Sequence, residues 1–465
     1  MSKTPHADTI FALSTPYGMS GVAIIRLSGS GAYGTALKIS GKSSLVTRKA
    51  TLCKLVDPVS RETLDHAVVV YFKNPESYTG EDCVEIHCHG SVAVIEALLE
   101  ALAKIEGLRL AEPGEFTRRA FENNKMDLTE AEAIADLIDA ETVAQKNQAL
   151  DQLGGVLSRL YDDWRERLTK SLAYLEADID FADDDMPDGM SSQVLPVLQD
   201  LRAQIADHLS DNRRGERLRD GIQIAVIGAP NAGKSSLVNA LAQRDVAIVS
   251  EHAGTTRDVI EVHLDLGGYP VILADTAGLR PDQLGSDSGH DLIESEGIKR
   301  ALDRAQNADL RLLLFDASAY PDLDAHTAAL VNDNAVIALN KTDALHADQA
   351  DRAALCKKVG AQFDGRDVCA LSVNTGDGIK ELLGVMEDRI ATMIGAREMP
   401  SLTRRRHREA LEECAVSLDR ALAGDMPELI AEDVRLAVRA LGRITGRVDV
   451  EDLLDVIFRD FCLGK

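Results

Sequence analysis

At 465 residues the chain exceeds one ordinary domain, and two or three are expected. Hydrophobic residues make up 45% of it, enough to fill sizeable cores, while a formal net charge of -25 argues against a protein that wraps nucleic acid by bulk electrostatics. The seven cysteines (Cys53, Cys83, Cys88, Cys356, Cys369, Cys414 and Cys462) share no CxxC frame, which speaks against structural zinc and a disulfide scaffold.

The N-terminus carries no positive lead before an apolar core, and no later run reaches transmembrane length. A cytoplasmic protein without a membrane partner is expected. GVAIIRLSG (21–29) and HAVVVYF (66–72) predict strands, and SVAVIEALLEALAKIEG (91–107) predicts a helix closed by glycine. HCH (87–89) has the residue types of a metal site, but its alternation fits strand packing better. DLTE (127–130) predicts a capping box from Asp127 to Glu130, opening an alanine- and leucine-rich helical region to about 175. EADIDFADDDMPD (176–188), with seven carboxylates and a proline, is expected to break it as a solvated loop. Helix resumes over 196–218. From 222 short apolar strands follow: IQIAVIG, VILAD (271–275), LRLLLFD (310–316), AVIALN (335–340) and DVCAL (367–371), with helices between them. That is a parallel-sheet α/β pattern. Beyond about 380 the chain is helical again, so the α/β unit is expected to be inserted into a helical domain.

GAPNAGKS (228–235) lies between a strand and a helix, as a phosphate loop must. Backbone N–H groups from Gly228 through Asn231, Ala232, Gly233, Lys234, Ser235 and Ser236 should face the phosphates, with Lys234 at the β and γ positions. Ser235 should ligate magnesium. DTAG adds Asp275 in the magnesium shell, then Thr276, Ala277 and Gly278 near the γ-phosphate. NKTD supplies Asn340, Lys341 and Asp343, and an aspartate there can accept from N1–H and the 2-amino group of guanine, donors that adenine lacks. GTP is the expected nucleotide. Leu279 follows DTAG where many GTPases place a water-orienting glutamine, and the phosphate loop has no arginine. The amide oxygen of Asn231 could hold a monovalent cation where an arginine would act, or Asn231 could simply stiffen the loop.

GAPNAGKSSLVNAL, RDVAIVSEHAGTTRD (244–258), DTAGLR and NKTD resemble the potassium-dependent translation-factor-like GTPases. TPYGMSGVAIIRLSG (15–29), YTGEDCVEIHCHG (78–90), PGEFTRRAFENNKMDLTEAEAIADLI (113–138) and FCLGK (461–465) resemble the MnmE (TrmE) family of tRNA modification GTPases. The resemblance implies a multidomain α/β plus all-α fold. Its parts are an N-terminal folate-binding, dimerising domain (1–122), a split helical domain (123–218 and 381–465) and an inserted Ras-like G domain (219–380). It implies a homodimer that forms a heterotetramer with the FAD-containing protein MnmG. The pair adds an aminomethyl or carboxymethylaminomethyl group at C5 of the wobble uridine, position 34, of certain tRNAs. The one-carbon unit comes from a 5-formyl- or methylene-tetrahydrofolate. GTP is hydrolysed to GDP and phosphate. A ribosome-assembly switch is the alternative that the G-domain motifs alone leave open.

The resemblance also implies roles by position. Asn231, Ser250, His252 and Thr255 would bind K+. Ser235, Thr256 and Asp275 would bind Mg2+. IESEGIKRA (293–301) makes Glu294 the water-orienting residue, with Glu296 as a nearby competitor. Arg26, Glu85, Lys125 and Lys465 would meet the folate. Glu81, Asp82 and Arg119 are further groups of the right chemistry, and Arg26 could instead form a salt bridge. Cys462 could act as a nucleophile or shape the pocket. TRRRHR (403–408) could touch tRNA phosphates or balance the acidic surface of its own domain.

Overall fold

The computed structural model describes residues 8–180, 190–244, 246–248, 261–275, 307–345, 349–395, 400–448, 451–459, 461 and 464. They form two compact units, Met1–Ala135 with Gln152–Arg202 and Glu413–Lys465, and Asp136–Asp151 with Ala203–Glu412. Each is assembled from segments far apart in sequence.

The first unit holds a mixed sheet of β1 (Thr9–Leu13), β2 (Ser20–Ser28), β3 (Thr51–Val56), β4 (Thr63–Phe72), β5 (Cys83–Gly90) and β6 (Leu108–Leu110), in the order β3-β4-β5-β2-β1-β6. Only the β1–β6 pairing is parallel. Side chains alternate across such strands. Ile25 and Leu27 of β2, with Val84 and Ile86 of β5, therefore share one face, buried beneath the helices Ala32–Ser40 and Val92–Ala103. Ser91 caps the second helix by accepting from the Val94 N–H. The same alternation separates the HCH triplet. Cys88 is buried, its thiol pushed up to about 11 by burial, while His87 approaches Glu85 and His89 pairs with Asp65 at 2.8 Å. No group of three metal-ligating side chains occurs among the described residues.

The helical part begins at the expected capping box. The Glu130 N–H donates to Asp127 Oδ1 and the Asp127 N–H to Glu130 Oε2, both at 2.9 Å. The helical region is three helices, Leu128–Asp139, Val143–Leu153 and Val156–Asp180, the last two parted at Gly154 and Gly155, the latter with φ +74°. Helix Val156–Asp180 runs into the acidic stretch expected to be a loop, and Arg435 meets Glu176 there at 2.7 Å. It packs along helix Pro427–Thr445. Helix Glu451–Arg459 lies on helix Glu115–Glu122, with Leu128, Ala131, Leu454, Phe458 and Phe461 forming the shared core.

In the second unit, β7 (Ile222–Ile227), β8 (Glu261–Leu266), β9 (Tyr269–Asp275), β10 (Leu310–Asp316), β11 (Ala335–Asn340) and β12 (Val368–Ala370) run in the order β12-β11-β10-β7-β9-β8. All pairings are parallel except β8 with β9. Helices Lys234–Ala242 and Ile379–Ile394 bury Leu237, Leu241, Leu382 and Ile390 against one face of the sheet. The packed body of the sheet therefore runs to Ile394, past the boundary expected at 380. Strands β1, β3, β6 and β8 were not among the expected elements. Among the described residues no helix is long and apolar enough to cross a membrane.

Candidate functional site

The carboxyl ends of β7, β10 and β11 carry the phosphate loop and the NKTD loop side by side, the place where open parallel sheets bind ligands. Between β7 and helix Lys234–Ala242 the chain turns through Asn231 at φ +63° and Gly233 at φ +100°. A Cβ at Gly228 would stand 2.3 Å from the Leu314 carbonyl of β10, and one at Gly233 would stand 2.2 Å from Asn340 Nδ2. Glycine is required at both places by close approach. Lys234 Nζ donates to the Gly228 and Ala229 carbonyls at 2.8 and 3.0 Å, so its charge already sits over the loop.

Asn340 joins the two loops. It is buried at the end of β11, its Nδ2 donates to the Ala232 carbonyl at 2.8 Å, and its Oδ1 accepts from the Val373 N–H at 3.1 Å. Thr342 Oγ1 donates to the Leu371 carbonyl at 3.0 Å, tying the segment after β12 to the same place. Ser372 hydrogen-bonds the Asp343 carboxyl and holds it below the usual carboxylate range, with Asn374 and the Arg352 charge adding to the effect. Asp343 Oδ1 is buried and accepts no hydrogen bond among the described residues. An ionised carboxylate with an unsatisfied oxygen has the chemistry to accept from the N1–H and 2-amino donors of guanine. Sequence reasoning missed Ser372 and Asn374. The signal was present as a polar SVNTG (372–376) directly after a strand.

Asp275 ends β9 in register with Val226 of β7. Ser250, His252, Thr255, Thr256, Thr276, Ala277, Gly278, Leu279, Glu294, Glu296, Cys462 and Lys465 lie outside the described residues.

The first unit gathers a second set of polar groups. Arg26 and Glu85 are register partners on β2 and β5, and the Arg26 Nη2–Glu85 Oε1 distance is 3.0 Å. The Arg26 guanidinium lies 5.0 Å from the Tyr78 ring centroid and 5.7 Å from that of Phe116. This is the salt bridge weighed for Arg26, now with two aromatic faces beside it. Lys125 Nζ donates to the Pro75 carbonyl at 2.9 Å, at the edge of the loop that carries Tyr78. The end of the chain reaches the same sheet: Ser14 Oγ donates to the Gly464 carbonyl at 3.0 Å, and a Cβ on Gly464 would meet the Leu13 carbonyl at 2.1 Å.

Other candidates are committed within the fold. Arg119 is fully buried among Asp8, Glu81 and Glu115 at 3.0, 3.2 and 2.9 Å. Asp82 accepts from the Tyr71 hydroxyl and the Asn74 N–H. In TRRRHR, Arg404 pairs with Asp136 at 2.6 Å, and Arg408 with Asp211 and Glu216 at 2.7 and 2.8 Å. Those two arginines balance acidic side chains of their own unit, as the second of the two expectations for this run had it.

Residues 9–125 match the family described as GTP-binding protein TrmE N-terminus, and residues 128–462 match the family described as MnmE helical domain. The tRNA modification GTPase MnmE of Parvibaculum lavamentivorans is 51% identical, covering 98% of this chain and 100% of that relative. That of Paramagnetospirillum magneticum is also 51% identical, over 99% and 100% of the two chains. The MnmE of Maricaulis maris is 48% identical, over 98% and 99%. The chain belongs to the MnmE family of tRNA modification GTPases. GTP hydrolysis with magnesium belongs to this family, and the phosphate-loop and NKTD motifs of the chain stand at the β7–β10–β11 edge.

Proposed function

We propose that this chain is a potassium-activated GTP hydrolase whose cycle serves modification of the wobble uridine of certain tRNAs. The observation that carries it is the match along the whole chain, N-terminal sheet and helical parts included, since a ribosome-assembly switch has no need of the YTGEDCVEIHCHG block or the FCLGK end.

The chain's own residues supply the chemistry. Lys234 and the N–H groups of the phosphate loop hold the phosphates, Asn340 keeps that loop fixed against the base loop, and Asp343 selects guanine. Asn231, with loop carbonyls and with Ser250, His252 and Thr255, would hold K+ where no arginine stands. Ser235, Thr256 and Asp275 would hold Mg2+, and Glu294 would orient the attacking water. Two G domains meeting face to face would order the cation loop, so hydrolysis would follow homodimer closure. Arg26 and Glu85, beside the half-buried ring of Tyr78, offer a donor, an acceptor and one aromatic ring to a planar, anionic reduced folate. Lys125, Lys465 and Cys462 would complete that pocket. The folate supplies the one-carbon unit, and the FAD-containing partner MnmG would carry much of the tRNA grip in a heterotetramer.

Steady-state GTP hydrolysis in matched potassium and sodium salts tests the cation. Turnover should be faster in potassium, and Asn231→Ala should remove that gain by about 10²-fold, the size of one lost preorganised electrostatic contact, with GTP affinity retained. Equal rates in both salts would overturn it. The base is tested separately with Asp343→Asn, which replaces an acceptor by a donor. This variant should lose GDP and gain xanthosine diphosphate, whose base presents a carbonyl in place of the 2-amino group. Unchanged GDP binding would refute the role given to Asp343.

A further inference from the structure

The base loop holds one more constrained side chain. Lys341 follows Asn340 at φ +64°, a left-handed conformation that costs an ordinary residue about 1–2 kcal/mol. Its side chain is 39% exposed, yet its ammonium is tethered to a carboxylate. Lys341 Nζ lies 2.7 Å from Asp316 Oδ2, at the end of the neighbouring strand β10. Asp316 and Asn340 are register partners, so the side chain crosses from the end of β11 to the end of β10. The next strand along is β7, which leads into the phosphate loop. The lysine stem thus runs over the carboxyl edge of the sheet from the side of Asp343 towards the side of Lys234.

Asp316 is itself held. Its Oδ1 accepts from the Ser318 N–H at 2.9 Å and from Ser318 Oγ at 2.6 Å, leaving Oδ2 for the lysine. A free lysine carries up to about 2 kcal/mol of rotamer entropy, which a fixed partner removes before the ligand arrives.

We propose that Asp316 is a positioning residue for the guanine nucleotide, drawing Lys341 across the strand ends so that its four-carbon stem forms one wall of the purine and ribose pocket. The role rests on the guanine assignment to the β7–β10–β11 edge and adds to it a residue outside the phosphate-loop, DTAG and NKTD motifs. An apolar stem with a tethered charged end covers a planar ring while keeping the ammonium hydrogen-bonded.

Asp316→Asn keeps an acceptor oxygen for Ser318 and removes the charge that holds the lysine. GDP dissociation, followed with a fluorescent GDP analogue on the full chain, should be about tenfold faster in this variant, the weight of one charge-assisted hydrogen bond. The loss should fall on KM for GTP rather than on kcat. Lys341→Met should lose at least as much, and the double variant no more than Lys341→Met alone, because the two residues act through one contact. Dissociation at the wild-type rate in Asp316→Asn, or fully additive losses in the double variant, would overturn the proposal. The guanine assignment fails on a different result, an Asp343→Asn variant that still prefers GDP to xanthosine diphosphate.

Discussion

Arg119→Met should destabilise the first unit by about 3–5 kcal/mol, the cost of removing one partner from a buried ionic cluster. The arginine side chain is 1% exposed and ties together three segments: Asp8 before β1, Glu81 in the loop before β5, and Glu115 on its own helix. Arg109 also reaches Asp8 and Glu115, both at 2.5 Å, and Ser28 Oγ donates to Glu81 at 2.7 Å. Removing Arg119 leaves Glu81 with a hydroxyl for company and no nearby opposite charge from this cluster. Urea unfolding of the full chain followed through Trp164 measures the effect, since this buried residue is the single tryptophan and belongs to the same unit. Arg405→Met is the control. That side chain is 87% exposed, pairs with Glu409 one turn along its helix, and should change stability by less than about 0.5 kcal/mol. A loss of that small size in Arg119→Met would refute the buried role.

The same cluster sets a pH dependence. Burial pushes the Asp8 and Glu115 carboxyls up, but Arg109 and Arg119 hold both below the ordinary carboxylate range. Carboxyls lowered in the folded state stabilise it above their unfolded values, near about pH 4, and that contribution disappears as pH falls through the lowered ones. The acid-side loss of stability should be shallower in Arg119→Met than in the wild type.

Gly233→Ala should weaken GDP binding by about 10²- to 10³-fold. The new methyl group would stand 2.2 Å from Asn340 Nδ2, and the backbone at φ +100° lies where L side chains are strained. Strain of about 1–2 kcal/mol adds to two hydrogen bonds of Asn340 worth about 1 kcal/mol each. Each 1.4 kcal/mol is about tenfold in affinity. Both bonds fail together because Asn340 spans the Ala232 carbonyl and the Val373 N–H, so the phosphate loop and base loop lose register at once. Equilibrium titration with labelled GDP reads this directly. Affinity within about threefold of wild type would show that the Asn340 bridge is dispensable.

Much of the nucleotide edge was legible in the residues. GAPNAGKS and NKTD each act through a few consecutive backbone positions, so their spacing already specifies their geometry. The capping box at Asp127 and Glu130 formed as expected for the same reason. Short strands were harder. TLCKLV and EVHLDL alternate over only six residues, and their pairing partners rather than their own propensity make them strands. The acidic run was expected to break the helix from 176, yet helix Val156–Asp180 continues through Glu176 to its partner Arg435, while residues 181–188 of the run lie outside the described residues.

Arg119 and Arg26 mark the boundary of what a linear reading can do. Both are arginines of the kind that meet an anionic ligand, but one is enclosed by carboxylates from three segments and the other stands over two aromatic rings. Ser14 and Gly464 touch across 450 positions of chain, a proximity that no local pattern encodes. By itself the sequence determined the phosphate-loop motif, the NKTD motif and the family, because each depends on contiguous residues. Tertiary structure alone decided which charges are consumed inside the fold and which remain for ligands. Desolvation and hydrogen-bond geometry are set by segments that meet only when the sheets close, and Asp316 drawing Lys341 across the strand ends is a product of that closure.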